Sequence, residues 1–175
     1  MTPLLPHATF RSVTVGGTTK PELLQLLASH GVQWNAMATR LLDDARFTTA
    51  PSSTTLRTWE TSVGELGLAS GATIDAILAR AEAHGLMPGP LELGPHLRLQ
   101  LLDQSEARVD HVQPRHQAPP GSLTVASIPL SNDEDFPCGF YLRRIDGTLW
   151  LRGYQSWSGH RWSLADRFVF VERAD

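Results

Sequence analysis

The dipeptide Asp146-Gly147 constrains the fold of this chain more than any other local feature. It stands between two runs, 140–145 and 148–154, in which apolar and polar side chains alternate. Asp-Gly is a preferred pair for the two-residue type I′ turn, because both central residues of that turn need a positive φ. The spacing therefore predicts an antiparallel hairpin with a fixed register.

Strand alternation sorts the side chains of this hairpin onto two faces. The apolar set belongs in the core: Phe140, Leu142, Leu149 and Leu151. The opposite set, which we call the Arg/aromatic face, carries two rings and two guanidinium groups: Tyr141, Arg143, Trp150 and Arg152. In the predicted register each Arg stands opposite a ring, which permits cation–π contacts worth about 0.5–1 kcal/mol per pair at an exposed site.

The Arg/aromatic face is a candidate ligand site, because Arg binds carboxylate and phosphate in a bidentate way while the rings offer stacking surface. The alternative is a solvated sheet face that stabilises itself through these pairs. Trp157 and Trp162 follow in the loop 156–163, where they either wall a pocket or cover the open end of the core. We expect the partner of such a surface to be a small anionic or aromatic ligand, or a peptide.

The first half of the chain carries the clearest helix signals. Thr19 and Glu22 match a capping box, and the leucine-rich stripe after them stops at Gly31. Asn35 is a suitable N-cap for a second helix, and the segment 72–84 repeats apolar residues at helical spacing. Three helices are therefore predicted before residue 86.

Strand-like alternation occurs in five further segments: 10–15, 56–63, 97–101, 123–130 and 168–171. Most of these segments, and the hairpin, lie in the second half of the chain. Together the patterns predict a single α+β domain over all 175 residues. We expect N-terminal helices, within residues 1–86, to pack on a C-terminal antiparallel β-meander, within residues 97–175.

Charge and cysteine content narrow the function classes. The 15 basic and 18 acidic side chains give a net charge of -3, which argues against nucleic-acid binding that depends on many Lys and Arg contacts to phosphate. The single Cys138 excludes an internal disulfide and fits a reducing compartment. No apolar run approaches the roughly 20 residues that cross a bilayer. We expect a cytoplasmic protein with neither nucleic-acid nor membrane partners.

Motifs for cofactors are weak. His111 and His116 are separated by four residues in a proline-containing segment, and neither an HExxH motif nor a cysteine pair accompanies them. The glycines within 15–20 join a predicted strand to a helix, but the Walker ending GK[ST] is missing and Pro21 removes an amide donor. We therefore expect no metal and no bound cofactor.

Glu92, His96 and Arg98 are the candidate catalytic residues, at the start of the predicted strand 97–101. A carboxylate, an imidazole and a guanidinium suit the roles of base, acid and anion clamp. The alternative is structural, with Glu92 capping backbone amides and Arg98 paired with an acid on the sheet. No nucleophile motif such as GxSxG accompanies them, so a covalent mechanism lacks support.

The segments PLELGPHLRLQ (90–100), GSLTVA (121–126) and GFYLRRIDG (139–147) resemble a family of small bacterial proteins that often carry the label "helicase". The resemblance covers most of the chain from Lys20 onward and implies no activity or site residue. A helicase motor needs a P-loop and an acidic Mg²⁺ motif, and a chain of this length without GK[ST] cannot provide them. We therefore set the label aside.

Three hypotheses of function follow. The one we favour is a non-enzymatic domain that binds a small molecule or peptide with the Arg/aromatic face and the loop of Trp157 and Trp162. The second is a small cytoplasmic lyase, isomerase or hydrolase that uses Glu92 and His96 in acid–base chemistry. The third is a protein–protein interaction module that docks through an exposed strand edge or the same loop.

Overall fold

The computed structural model describes residues 5–107 and 118–174. Over these residues the chain forms four helices and eight strands. The helices are α1 (Lys20–Ser29), α2 (Ala36–Asp43), α3 (Ile74–Ala83) and α4 (Leu93–Gln100). The strands are β1 (Thr9–Val15), β2 (Gln33–Trp34), β3 (Thr54–Ser62), β4 (Leu86–Met87), β5 (Leu123–Val125), β6 (Gly139–Ile145), β7 (Thr148–Tyr154) and β8 (Arg167–Glu172).

All eight strands of the described residues belong to one mixed sheet. Its order is β1-β3-β8-β5-β6-β7-β2, and β4 pairs with β8 outside this path. The pairs β5–β8 and β2–β7 are parallel, whereas the other pairs are antiparallel. The sheet is therefore not a meander, because only β5, β6 and β7 follow one another as antiparallel neighbours.

The fold is α+β, but the predicted division into N-terminal helices and a C-terminal meander is wrong. Four strands precede residue 88, and α4 occupies the start of the segment expected to be sheet. The long strand β3 pairs with β8, so both halves of the chain supply the centre of the sheet. Alternation predicts each strand separately, whereas strand order depends on contacts between distant segments.

The segment 97–101 shows why a short pattern misleads. Its alternation predicts a strand, but the structure has helix α4 there. Leu93, Leu97 and Leu101 are spaced four residues apart and all are buried, so the same leucines also form a helical stripe. Pro95 lies in the first turn of α4, where its missing N–H is not needed.

The sheet separates two hydrophobic clusters. Helices α1, α2 and α4 pack on one face, and α3 packs on the other. Successive side chains of β8 alternate between them, with Val169 and Val171 in the first cluster and Phe168 and Phe170 in the second. Strand β8 is therefore buried on both faces, as its continuous apolar run indicates.

The predicted helix starts are confirmed. The hydroxyl of Thr19 accepts the N–H of Glu22 at 3.4 Å, and the Glu22 carboxylate accepts the N–H of Thr19 at 2.9 Å. Asn35 Oδ1 accepts the N–H of Ala38 at 2.9 Å and also the N–H of Gly153 at 2.8 Å. One side chain thus caps α2 and attaches it to β7.

Candidate ligand-binding site

The predicted hairpin is confirmed in turn and register. Asp146 and Gly147 have φ values of 49° and 76°, as the type I′ turn requires. Arg143 pairs with Trp150 across β6 and β7, and every other pair follows the predicted register. The apolar set of the hairpin packs in the first hydrophobic cluster, so the Arg/aromatic face lies on the other side of the sheet.

The contacts of the Arg/aromatic face differ from the prediction. The cation–π contact found there joins Arg152 to Trp150 on the same strand, with Cζ 5.2 Å from the ring centroid, rather than partners on opposite strands. Arg143 is only 7 % exposed. Burial, together with the nearby charge of Arg152, lowers the pKa of the Arg143 guanidinium. The Nε atoms of both arginines have no hydrogen-bond partner among the described residues.

Glu92 and His96 do lie together, but both bind the backbone of other segments. Glu92 Oε2 is 3.6 Å from His96 Nε2, because the two residues are one helical turn apart. Both carboxylate oxygens of Glu92 accept the N–H of Ala50 at 3.2 Å. His96 Nε2 accepts the N–H of Gly16 at 3.2 Å.

Gln100 continues this row one turn further along α4. Its Oε1 accepts the N–H of Thr14 at 3.0 Å, and its Nε2 donates to the Thr14 carbonyl at 2.7 Å. Strand β1 is at the edge of the sheet, so Gln100 satisfies backbone groups that no strand pairs with. We call Glu92, His96 and Gln100 the polar stripe of α4.

The hydrogen bond from Gly16 sets the protonation of His96. Because Nε2 accepts this bond, the geometry fits a neutral imidazole with its proton on Nδ1. Burial lowers the pKa of His96, and the nearby Glu92 carboxylate opposes this effect only in part. The N–H of Gly17 donates to the Ala50 carbonyl at 2.9 Å. Both glycine amides of the candidate phosphate loop are therefore used within the protein.

Arg98 lies apart from the polar stripe, on a different side of α4. It is fully buried, and its Nη1 donates to Gln104 Oε1 at 2.6 Å and to the Arg143 carbonyl at 3.2 Å. Its Nη2 donates to the carbonyl of Leu101. Burial lowers the pKa of Arg98 to about 10. The expected acidic partner on the sheet is not found, because the partners of Arg98 in the described chain are neutral oxygens.

A cleft of about 300 Å³ opens where α3 approaches the ends of β6 and β7 that lie away from the turn. We call it the Trp cleft. Its apolar and aromatic wall includes Ile74, Leu78, Pro129, Tyr154, Trp157 and Trp162. Neither this cleft nor a second, larger one is lined by Glu92, His96 or Arg98.

The two tryptophans of the Trp cleft have different environments. Trp162 is 4 % exposed, whereas Trp157 is 45 % exposed. Trp162 packs edge-on against Phe168 at 4.9 Å and Tyr154 at 5.7 Å between ring centroids. The ring of His160 lies 5.0 Å from Trp157 and 4.9 Å from Trp162. Trp162 therefore covers the core and walls the cleft, and Trp157 forms its exposed rim.

The lining of the Trp cleft also includes polar and charged side chains. Three carboxylates line it: Asp75, Asp133 and Glu134. The thiol of Cys138 donates to the Ser156 carbonyl at 3.7 Å, and burial raises its pKa. Trp162 Nε1 and Ser156 Oγ are buried without a hydrogen-bond partner among the described residues. Such atoms are costly to bury unless another group satisfies them.

The larger cleft, of about 540 Å³, is lined on one side by Glu60 and Arg167. Several of its charged groups already pair with one another or with their neighbours. Arg167 binds Glu60 at 2.8 Å and Glu65 at 3.5 Å, and Asp166 Oδ2 accepts the N–H of Ser163 at 2.8 Å. These groups of the larger cleft are therefore already used within the fold.

Two of the six predicted ligand-binding side chains, Trp157 and Trp162, line the Trp cleft. The other four line neither cleft: Tyr141, Arg143, Trp150 and Arg152. Sequence reasoning missed Cys138 and Tyr154, although the predicted register places both at the open end of the hairpin. The helix at 72–84 was predicted, but its place in the lining of the cleft was not, because no local pattern shows that α3 packs beside Trp162.

The described part of the chain contains neither a cluster of metal-binding side chains nor a membrane-spanning helix. Within it, no group of three or more His, Cys, Asp or Glu side chains is arranged to hold a metal ion. His111 and His116 lie outside the described residues. No helix within 5–107 or 118–174 is long and apolar enough to cross a membrane.

No protein-family model, curated protein or solved structure matches the chain significantly. The resemblance of the segments 90–100, 121–126 and 139–147 therefore stays a prediction. The site itself has to carry any argument about function.

Proposed function

We propose that this protein is a non-enzymatic domain that binds a small molecule, or a short peptide, in the Trp cleft. The observation that carries the proposal is the presence of Trp157 and Trp162 in the lining of a cleft of about 300 Å³. Ligand sites are typically concave, mostly apolar and aromatic, with a few polar groups that fix orientation. The Trp cleft has this composition.

Unused hydrogen-bonding capacity also supports a ligand here. Trp162 Nε1 and Ser156 Oγ are both buried and unpartnered among the described residues. A bound molecule that accepts from the indole N–H would remove the cost of burying it. The half-exposed Trp157 supplies stacking surface at the rim, which suits a ring or another flat apolar group.

The polar stripe of α4 does not favour the acid–base alternative. A general base needs a free oxygen or nitrogen within reach of a substrate proton. Glu92 and His96 instead accept the N–H groups of Ala50 and Gly16. Their arrangement fits the structural alternative, in which they hold two loops against the start of α4.

A binding assay with N-phenyl-1-naphthylamine, a neutral aromatic probe that fluoresces when bound, tests the proposal. We expect saturable binding of one probe per chain. Trp157→Ala should weaken it tenfold or more, because stacking surface at the rim is lost. Trp59→Ala is the matched control, since Trp59 is also partly exposed, lines neither cleft and lies outside the Arg/aromatic face. Equal affinity in Trp157→Ala and wild type would overturn the proposal.

The Arg/aromatic face supports a second candidate, the binding of an anionic ligand. Neither Arg143 nor Arg152 forms an ion pair with a described residue, so their positive charge is uncompensated there. The probe 1-anilinonaphthalene-8-sulfonate carries the same rings as the neutral probe plus a sulfonate. If this candidate holds, the sulfonate probe binds more tightly than the neutral one, and Arg143→Gln/Arg152→Gln removes the difference. Equal affinities in wild type count against it.

A further inference from the structure

The Trp cleft carries a charge of one sign. Among the described residues, its lining contains the carboxylates of Asp75, Asp133 and Glu134 and no Lys, Arg or His side chain. They come from separate parts of the chain, since Asp75 is in the first turn of α3 and the other two lie between β5 and β6. None of the three forms an ion pair within the described residues.

The hydrogen bonds of these carboxylates leave most of their capacity unused. Glu134 Oε1 accepts the N–H of Ser158 at 3.3 Å, and Asp133 Oδ1 accepts the N–H of Asp135 at 3.0 Å. Each bond holds its carboxylate beside the cleft without neutralising it. Burial raises the pKa of the Cys138 thiol, and the negative charge of Glu134 raises it further. The charge of Glu134 therefore acts on a group that lines the cleft.

Aromatic faces and carboxylates attract the same kind of ligand. The negative face of an indole or phenol ring binds a cation, most strongly when the cation is an alkylated ammonium that sheds water easily. Trp157, Trp162 and Tyr154 supply rings in the lining. From the described lining residues, an anion would meet three uncompensated negative charges and no positive one. A cleft with this lining would favour a cation over an anion of the same shape.

We propose that the ligand of the Trp cleft is an organic cation, whose ammonium group lies between the ring of Trp157 and the carboxylates of Asp133 and Glu134. This inference rests on the proposed function and narrows its ligand class. The remainder of the ligand occupies the apolar wall next to Ile74 and Leu78. A hydrogen-bond acceptor on the ligand would satisfy the indole N–H of Trp162.

The first test uses choline and 3,3-dimethylbutan-1-ol, which have the same shape but differ in charge. Each compound is titrated at pH 8 against the protein with N-phenyl-1-naphthylamine bound. We expect choline to displace the probe at a concentration at least tenfold lower than the alcohol. This advantage should disappear in Asp133→Asn/Glu134→Gln and persist in Asp103→Asn/Glu106→Gln, which removes two exposed carboxylates from the other cleft. Equal displacement by both compounds would overturn the cation proposal while leaving the binding function intact.

A third competitor separates two sources of the ammonium group. The capped tripeptide Gly-trimethyllysine-Gly presents it on a side chain, whereas choline presents it on a free molecule. Displacement by either compound, at a concentration well below that of the neutral alcohol, supports the ammonium chemistry. The compound that displaces the probe at the lower concentration identifies the source of the ammonium group.

The second test does not depend on the neutral probe. Cys138 is the only cysteine and lines the cleft, so its reaction with charged methanethiosulfonates reports the local potential. We expect the trimethylammonium-ethyl reagent to react at least tenfold faster than the sulfonato-ethyl reagent, relative to their ratio on the urea-unfolded chain. Asp133→Asn/Glu134→Gln should bring the ratio close to the unfolded value. A ratio in the folded wild type that equals the unfolded one would overturn the cation proposal, even if the neutral probe failed to bind.

Discussion

The polar stripe of α4 and the Trp cleft both concentrate polar and ionisable side chains, and they differ in what those side chains contact. In the stripe, Glu92 binds the backbone of Ala50, and His96 and Gln100 bind the backbone of the segment 14–16. In the cleft, three carboxylates face an open volume and form no ion pair with a described residue. Buried titratable groups alone therefore do not identify a functional site. What distinguishes the two regions is whether their hydrogen-bonding capacity is used within the fold.

A second contrast lies inside the Trp cleft, where Trp162 is buried and Trp157 is exposed. Trp162→Ala should lower the free energy of unfolding by about 3–5 kcal/mol, because it leaves a cavity among Tyr154, His160 and Phe168. Urea unfolding followed by far-ultraviolet circular dichroism measures this loss. A loss below about 1 kcal/mol would show that Trp162 is a ligand-site residue and not part of the core.

Substitution of Arg98 tests whether the buried polar groups of α4 stabilise the fold and take no part in binding. Arg98→Met should destabilise the protein by about 2–3 kcal/mol, because the carbonyls of Leu101 and Arg143 lose a buried donor. Arg173→Met is the control, since Arg173 makes an exposed ion pair with Glu82 and should cost less than about 0.5 kcal/mol. Binding of the neutral probe by folded Arg98→Met should equal that of wild type. Weakened binding at full stability would contradict the structural role.

The pH dependence of stability tests the role of His96. Burial lowers its pKa in the folded state, so the unfolded chain takes up this proton first as the pH falls below about 6.5. Because the unfolded state then binds more protons, stability falls with decreasing pH until the folded pKa is passed. His96→Gln keeps a hydrogen-bond acceptor for Gly16 but cannot be protonated. We expect its unfolding free energy to change less than that of wild type between pH 7 and pH 5, and parallel curves would be the contrary result.

Substitution of Trp157 should have the smallest effect on stability and the clearest effect on binding of the neutral probe. It is 45 % exposed, so Trp157→Ala should change the free energy of unfolding by less than about 0.5 kcal/mol. The same variant should weaken the neutral probe tenfold or more. Comparison with Trp162→Ala in one urea series gives a matched pair of substitutions in a single cleft. If both variants lost similar stability, the distinction between rim and core would fail.

The sequence predicted those parts of the fold that depend on neighbouring residues. The Asp146-Gly147 turn, its register and the sorting of its side chains are confirmed, because a type I′ turn and a period of two fix them together. The capping box at Thr19 and the N-cap at Asn35 are confirmed for the same reason. The strand predicted at 97–101 is wrong, since five alternating residues are compatible with either period.

The candidate site could be predicted only in part. Trp157 and Trp162 could be identified from the sequence because they lie close together in one loop. Aromatic side chains commonly line ligand sites. Asp75 comes from α3, whereas Glu134 and Cys138 come from the connection between β5 and β6. Nothing in their local patterns brings these two segments together. The pairing of Glu92 with His96 follows from their spacing on a helix. Their use as backbone acceptors depends on loops more than forty residues away.

The sequence by itself determined the hairpin, the helix starts and the aromatic content of the loop after β7, because turn chemistry, capping and periodicity act over a few residues. Only the tertiary structure decided the order β1-β3-β8-β5-β6-β7-β2 and the meeting of α3 with the open end of the hairpin. It also decided which polar groups are used by the fold and which line a cleft. Burial and hydrogen-bond satisfaction are properties of the packed chain, and they arise from contacts between residues that are distant in sequence.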